Sequence, residues 1–242
     1  MKEIQNLEQL KEHQKELEES LDNFKTPFSF GMGLATKSSA GNIMDVFYPA
    51  PQLGSDAYSC AVIAHELKWD GKTRTYELDA MALTNIQQSL EAAKKNISYE
   101  EETNGIAESL LQILGQGEPV NGQRTAVVSF ISEASDEPID AIDSYLRLHL
   151  LSSRLAQPNT INLTGIFGKL TNCVWTNLGP FEVTDFNHKR IALLAEGSEI
   201  LVHGVDKFPR MTDYVIPPGV RIADANRVRL GAHLADGTTV IA

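Results

Sequence analysis

Large aliphatic residues recur every six positions near the C-terminal end of the chain. They form an unbroken series of Ile216, Ile222, Val228, Leu234 and Val240. This period matches neither an amphipathic helix, which repeats about every 3.6 residues, nor a half-buried strand, which alternates. It is typical of a hexapeptide β-helix, in which three short strands joined by tight corners make one triangular coil of about 18 residues. We therefore predict that a parallel β-helix begins near residue 205.

Small residues hold a fixed position within this repeat. The third position after the first four aliphatic residues is occupied by Gly219, Ala225, Gly231 and Gly237. A tight corner there leaves little room for a Cβ atom or requires a positive φ, which glycine adopts readily. The alternative interpretation is two or three ordinary strands with glycine turns, whose spacing happens to be a multiple of two.

The sequence ends about one and a half coils into this array. Solenoid coils bury their apolar surface only against neighbouring coils, and a capping segment closes the stack. Residues 238–242 read TTVIA and have no polar closing face. We therefore expect that the chain is a fragment truncated within the β-helix, and that any site carried by further coils lies outside it.

Residues 1–204 are predicted to form a separate N-terminal α/β (α+β) domain, and residues 205–242 the start of the β-helix. Apolar residues at helical spacing predict helices over residues 1–24, 80–95 and 105–114. Apolar runs bounded by turn residues predict strands over residues 28–34, 43–48 and 125–131. The segment FGMG at residues 30–33 lacks a complete nucleotide-binding pattern, so we do not interpret it as a phosphate loop.

A β-hairpin is predicted around Asp70 and Gly71, because Asp-Gly favours a type I′ turn. Its strands would cover residues 61–69 and 72–78. His65 would lie on one face of the first strand, and no carboxylate is placed near it by spacing. We therefore interpret His65 as a packed histidine with a satisfied ring and not as a general base.

A long buried helix is predicted to begin at Asp136, with Pro138 in its first turn, and to end near Gln157. His149 belongs to its apolar set, so we interpret this histidine as structural. Residues 160–181 are rich in Asn and Gly and are predicted to form an irregular, ordered loop, which either carries function or caps a core.

Charge and composition exclude several classes of protein. The net charge of −11 argues against nucleic acid or an anionic membrane as the main partner. The first residues lack the apolar core of a signal peptide, and no apolar run is long enough to span a bilayer, so we expect a cytoplasmic protein. Cys60 and Cys173 have no Cys or His at ligand spacing and are predicted to be reduced thiols.

Basic residues outnumber acidic ones between residues 205 and 233. The basic residues are Lys207, Arg210, Arg221, Arg227 and Arg229, and the acidic ones are Asp206, Asp213 and Asp224. An anionic ligand would be attracted to this segment. The alternative is that the arginine side chains project into solvent and bind nothing.

The segment at residues 205–215, VDKFPRMTDYV, and its continuation through residues 219–232 resemble the tetrahydrodipicolinate N-succinyltransferases, in the long form of proteobacteria and actinobacteria. Similar residues occur at 145–152 and 175–177. The resemblance implies a trimeric, left-handed β-helix enzyme of lysine and diaminopimelate biosynthesis. Such an enzyme transfers succinyl from succinyl-CoA to the nitrogen of a cyclic dicarboxylate.

In that family the active sites lie between neighbouring β-helices, and the proposed catalytic glutamate and the CoA contacts fall downstream of residue 242. The resemblance therefore implies no catalytic residue within this chain and an inactive fragment, and it leaves the substrate-binding residues unknown. Some members hold magnesium on the trimer axis through an Asp at the position of Asn226. Asn is a weaker ligand for a hard cation, so Asn226 is a weak metal candidate.

Two alternatives stay open from the residues alone. The chain could be an independent oligomerisation or partner-binding module without affinity for CoA. It could also belong to a hexapeptide acyltransferase that acts on another acceptor, because a fold by itself does not determine the substrate.

Overall fold

The computed structural model describes residues 4–54, 57–94 and 102–241. The helices are α1 Leu7–Glu19, α2 Tyr58–Glu66, α3 Ala80–Lys94, α4 Glu102–Leu114, α5 Ala141–Ser152, α6 Ile166–Lys169 and α7 Phe186–Ala195. The strands are β1 Ser29–Lys37, β2 Ile43–Phe47, β3 Gln52–Leu53, β4 Arg74–Leu78, β5 Gln123–Ile131, β6 Cys173–Thr176, β7 Gly179–Glu182, β8 Val202–Asp206, β9 Arg221–Ile222 and β10 Thr239–Val240. Short 3₁₀ helices cover Met211–Asp213 and Ala225–Arg227.

The main sheet has the strand order β2-β1-β5-β4, with β3 paired to the start of β1. All of its pairings are antiparallel. Helices α1 to α4 contribute to the core on one face, together with Phe30, Val128 and Phe130 of the sheet. Helix α5 covers the other face and packs on Ala35 and Val127. The central strands are apolar on both faces because both faces are covered.

The glycines of β1 are explained by close packing. A Cβ atom on Gly31 would lie 2.9 Å from both the Leu146 side chain and the Tyr48 ring. A Cβ atom on Gly33 would lie 2.6 Å from the carbonyl oxygen of Phe47 and 2.9 Å from the Tyr48 ring. The FGMG segment therefore lies inside β1, where its glycines let β2 and α5 pack close to that strand.

We expect Gly33→Ala to lower the free energy of unfolding by about 1–3 kcal/mol, because the new methyl group would meet the backbone of β2. Gly204→Ala is the matched control, since Gly204 also lies in a strand and has open space where a Cβ would be placed. The control should change the free energy of unfolding by less than about 0.5 kcal/mol. Equal urea midpoints for both variants would contradict this account of β1.

The predicted hairpin around Asp70 and Gly71 is wrong in its first strand, because residues 58–66 form helix α2. Residues 58–64 are all buried, so this short helix is apolar all round and its sequence shows no helical period. The second strand is present as β4, and Gly71 has the positive φ of +79° expected in a turn. His65 is exposed and its Nδ1 lies 2.8 Å from Ser20 Oγ, so its ring has a partner but is not packed on a strand.

The predicted start and end of the long helix also differ from the structure. Helix α5 begins after Asp140, whose side chain accepts a hydrogen bond from the backbone N–H of Asp143 and caps the helix. Asp136 instead accepts hydrogen bonds from the Thr73 hydroxyl and from the backbone N–H of Glu133. The chain leaves the helix at Arg154, which has a φ of +63°. The interpretation of α5 as a well-buried helix is confirmed.

Residues 160–181 are not a loop throughout. They contain α6, β6 and most of β7, and β6 pairs with both β7 and β8 in a small antiparallel sheet. Phe181 packs with Phe186 and Leu193 of α7 in a core of its own. Every residue of β6 is buried, so the strand lacks the alternation by which a half-buried strand is recognised.

The C-terminal segment contains a single parallel strand pair and no complete β-helix within the described residues. Strand β9 pairs with β10 at positions 18 residues apart, Arg221 with Thr239 and Ile222 with Val240. The positive φ expected at the glycine corners is confirmed at Gly219, Gly231 and Gly237. Of the periodic aliphatics, Val228 is buried, but Ile216 is 81% exposed and does not face inward as the pattern predicted.

Candidate functional site

A cleft of about 770 Å³ opens between the edge of the main sheet and the small sheet. Its walls come from β1, β2 and β5, from the segment that follows α4, from the turn between β6 and β7, and from the 3₁₀ helix Met211–Asp213. This volume lies within the range of about 300–1,000 Å³ that is usual for small-molecule sites.

Two polar side chains that line the cleft, those of Asp45 and Arg124, lie on either side of the buried Thr36. Asp45 of β2 is paired with Thr36 of β1, which is paired with Arg124 of β5. Directly paired residues on antiparallel strands point to the same face of a sheet. The Arg124 guanidinium donates a hydrogen bond of 2.5 Å from Nη1 to the Thr36 hydroxyl. The strand pairing therefore places a carboxylate and a guanidinium on either side of Thr36.

Asp45 is a buried carboxylate beside Thr36 and Tyr214. The residue is 8% exposed, and its Oδ2 accepts a hydrogen bond of 2.6 Å from the Tyr214 hydroxyl. Its Oδ1 has no hydrogen-bond partner within the part of the chain that the structure describes. Burial raises the pKa of Asp45 above its ordinary value, although hydrogen bonding with Thr36 and Tyr214 and the charge of Arg124 act in the opposite direction.

Tyr214 is held in place by aromatic packing. Its ring centroid lies 6.2 Å from that of Tyr145 and 5.8 Å from that of His149. Burial raises the pKa of Tyr214 well above its ordinary value, so the hydroxyl remains a donor to Asp45. The interpretation of His149 as structural is confirmed by its contacts, because Nε2 accepts from the backbone N–H of Tyr48 and Nδ1 lies 2.7 Å from the Tyr145 carbonyl. Burial lowers the pKa of His149 to about 4.

The basic excess of residues 205–233 is largely neutralised by local ion pairs. Arg210 makes two hydrogen bonds to Asp213, Arg229 lies 2.9 Å from Asp206, and Arg227 lies 3.8 Å from Asp224. Burial alone would raise the pKa of Asp206, but hydrogen bonds from Arg229 and the backbone lower it below its ordinary value.

Lys207 and Arg221 carry the remaining positive charge. Lys207 donates to the Phe167 carbonyl and lies 4.7 Å from the centre of the Phe167 ring. The other three basic side chains are engaged by carboxylates of the same segment, which reduces the attraction of this segment for an anion.

Asn226 lies in the 3₁₀ helix Ala225–Arg227 and is exposed. Its backbone N–H donates to Asp224 Oδ1, so Asp224 supplies the turn-forming side chain. Among the residues that the structure describes, no cluster of three or more His, Cys, Asp or Glu side chains could hold a metal ion. Magnesium at Asn226 therefore has no support from the structure.

Both cysteines are buried, and no disulfide joins Cys60 to Cys173. Burial raises the pKa of the Cys173 thiol well above its ordinary range, which keeps it protonated and unreactive. Within the described ranges, no helix is long and apolar enough to cross a membrane.

The sequence patterns did not indicate that Asp45 and Arg124 line a common cleft. The available signal was the single carboxylate of β2, IMDVF, which stands between apolar neighbours. Asp45 and Arg124 are far apart in the chain, and only the pairing of β1 with both β2 and β5 brings them together.

Comparison with known proteins identifies the family. The family model for the tetrahydrodipicolinate N-succinyltransferase N-terminal domain matches residues 8–168. The family model for the middle domain of the same enzymes matches residues 170–210. The chain belongs to the tetrahydrodipicolinate N-succinyltransferase family. The two matches together include β1, β2 and β5 of the cleft.

Individual members of the tetrahydrodipicolinate N-succinyltransferase family match over different lengths. The 2,3,4,5-tetrahydropyridine-2,6-dicarboxylate N-succinyltransferase of Salinispora tropica is 57% identical over 121 residues, which are 50% of this chain and 38% of that protein. The enzyme of the same name from Pseudomonas paraeruginosa is 36% identical over 215 residues, which are 88% of this chain and 58% of that protein. The chain thus spans less than two thirds of the length of either relative.

The fold is shared with a crystal structure from Campylobacter jejuni, described as a 2,3,4,5-tetrahydropyridine-2-carboxylate N-succinyltransferase. The TM-score is 0.81 at 22% identity, and the match covers 99% of this chain and 63% of that one. At this identity the likeness shows the fold alone.

Proposed function

We propose that the chain forms the N-terminal domain and the first β-helical coils of an N-succinyltransferase. The enzyme transfers succinyl from succinyl-CoA to tetrahydrodipicolinate in lysine and diaminopimelate biosynthesis. The observation that carries this proposal is the match of the two family models, which together cover residues 8–168 and 170–210.

The β-helical part of the proposal is supported by the register of β9 and β10. Their partners are 18 residues apart, and the backbone N–H of Gly237 donates to the carbonyl of Gly219 with the same offset. This offset equals one triangular coil of three hexapeptides, about 18 residues. The proposal divides the chain into an α/β domain over residues 1–204 and a left-handed β-helix from residue 205 onward.

Succinyl transfer to an amine requires a base for the amine proton and hydrogen-bond donors for the oxyanion of the thioester carbonyl. The proposal assigns neither role to residues 1–242, so this chain alone should not transfer succinyl. It places the active sites between neighbouring β-helices of a homotrimer that works in the cytoplasm.

A chimera tests the proposal. Residues 1–242 are joined to the remaining C-terminal part of the Salinispora tropica enzyme, and release of the CoA thiol is followed with succinyl-CoA and tetrahydrodipicolinate. We expect acceptor-dependent release by the chimera, with the unaltered Salinispora enzyme as the positive control, and none by the 242-residue chain. Light scattering should give the chimera three times the mass of its monomer.

Three outcomes would contradict the proposal. A folded, trimeric chimera without activity would indicate that the N-terminal part serves as an independent module. Preference for another amine acceptor would indicate a different hexapeptide acyltransferase. Thiol release by the 242-residue chain alone would show that the catalytic residues lie within it.

A further inference from the structure

The end of α5 is hydrogen-bonded to the backbone of the C-terminal segment. The hydroxyl of Ser152, which is fully buried, donates a hydrogen bond of 3.1 Å to the Ala232 carbonyl and accepts one of 2.9 Å from the backbone N–H of Gly231. One turn earlier on the same face of α5, Leu148 packs so closely on Gly231 that a Cβ atom there would lie 2.6 Å from Leu148 Cδ2. The helix end thus holds residues 231–232 by both polar and apolar contacts.

Arg154 joins two further points of the same segment. Its Nε donates a hydrogen bond of 2.6 Å to the Leu234 carbonyl, and its Nη2 donates one of 2.9 Å to the Pro218 carbonyl. The two carbonyls lie near the beginning and the end of one coil of about 18 residues. Because the guanidinium is a rigid fork of donors, a single side chain fixes both ends of that coil.

The backbone of Arg154 has a conformation that favours glycine. The residue directly follows Ser153, the C-cap of α5, and its φ is +63°. Helices commonly have glycine at this position, because a Cβ atom makes the left-handed conformation unfavourable. The substitution Arg154→Gly therefore removes the guanidinium without straining the end of the helix.

The two longest segments that carry the family resemblance, residues 145–152 and 205–232, meet at this junction. Besides the contacts of Ser152, the rings of Tyr145 and His149 lie 6.2 and 5.8 Å from the ring of Tyr214. Each coil of a solenoid is held by its neighbours, so a first coil that opens would also loosen the coils stacked on it. A displacement of about 1 Å in an active site can lower a rate by about a hundredfold.

We propose that Ser152 and Arg154, together called the α5 clamp, are positioning residues for succinyl transfer. The α5 clamp holds the first coil closed against the N-terminal domain, and the coils stacked on it thereby keep the geometry that the reaction requires. The effect on transfer rests on the proposed function, whereas the clamp itself is a property of the 242-residue chain. Neither residue is assigned a contact with the reacting groups.

Amide hydrogen exchange of the 242-residue chain, followed by mass spectrometry, tests the clamp. In Arg154→Gly the backbone amides of residues 219–240 should exchange at least about tenfold faster, because two charge-assisted hydrogen bonds are lost. Ser152→Ala should accelerate the same amides. Exchange in β1 and β5 should not change, which would show that the N-terminal domain stays intact. Unchanged exchange of residues 219–240 in either variant would overturn the role of that residue in the clamp.

Lys68→Gly is the matched control. Lys68 directly follows the C-cap of α2, as Arg154 follows that of α5, and its φ is +51°. Its side chain lines a small pocket beside α1. The control thus makes the same backbone change and also removes one positive charge. It should alter the exchange of residues 219–240 by less than about twofold, and an acceleration equal to that of Arg154→Gly would overturn the proposal.

The chimera with the C-terminal part of the Salinispora tropica enzyme tests the positioning role. Arg154→Gly should lower its kcat for acceptor-dependent release of the CoA thiol at least about tenfold, and Lys68→Gly should leave kcat unchanged. Faster exchange together with an unchanged kcat would overturn the positioning role. An inactive chimera before any substitution would contradict the proposed function, and the exchange measurements on the 242-residue chain would still decide the clamp.

Discussion

Replacement of Arg147 by methionine is expected to lower the free energy of unfolding by about 3–5 kcal/mol. Arg147 and Asp143 are both fully buried on α5, and two hydrogen bonds of 2.9 and 3.2 Å join them. The Arg147 Nη1 also donates to the carbonyls of Asp136 and Asn162, which ties the segments on either side of α5 to the helix. The variant would leave a buried carboxylate and these carbonyls without their donor.

The decrease in the free energy of unfolding of Arg147→Met should depend on pH. Burial raises the pKa of Asp143 above its ordinary value, and the charge and hydrogen bonds of Arg147 oppose that rise. In Arg147→Met the pKa of Asp143 should rise further, so protonation of Asp143 stabilises the folded state of the variant. The stability deficit relative to the unaltered protein should be largest above the raised pKa and should shrink as the pH falls through it. Urea unfolding at a series of pH values measures this difference.

Two controls separate the buried ion pair from other effects. Arg190→Met replaces an exposed arginine on α7 and should change the free energy of unfolding by less than about 0.5 kcal/mol. Asp143→Leu combined with Arg147→Met should recover part of the loss, because it removes the unpaired charge. A deficit that is independent of pH and is not reduced in the double variant would contradict the assignment to Asp143.

Trp69→Ala is expected to lower the free energy of unfolding by about 3–5 kcal/mol. Trp69 is 1% exposed, its ring stacks on Phe130 at a centroid distance of 4.7 Å, and the edge of Phe24 meets it at 5.9 Å. Its Nε1 donates a hydrogen bond of 2.6 Å to the Lys72 carbonyl. The side chain thus joins the sheet to the turn between α2 and β4, and its removal would leave a cavity.

Trp69→Phe is the matched control for this prediction. Phenylalanine keeps most of the aromatic contact with Phe130 but loses the hydrogen bond to Lys72, so it should cost clearly less than alanine. Chemical denaturation followed by circular dichroism ranks the three proteins. A loss below about 1 kcal/mol for Trp69→Ala would show that the main core does not depend on this ring.

Local patterns in the sequence determined most of the periodic elements. Helices α1, α3 and α4 and strands β1, β2 and β5 lie where apolar spacing predicted them, because each presents an apolar face or run that a short window records. The motif at residues 205–215 identified the family, which the matches over residues 8–168 and 170–210 confirm. The residues within a short segment of sequence are therefore sufficient to predict such elements and to recognise such a motif.

Only the tertiary structure decided the elements and the site that depend on long-range contacts. Helix α2 was predicted as a strand. Because distant elements bury it on all sides, its sequence lacks the alternation of apolar and polar residues that marks a half-exposed helix. Asp140 and not Asp136 caps α5, and the hydroxyls of Thr73 and Thr75 from another segment donate to Asp136 and Asp140, respectively. The cleft itself exists because β1 pairs with β2 on one side and β5 on the other, which places Asp45 and Arg124 in one row. Strand register is fixed by the whole core, so no local pattern could reveal that pair.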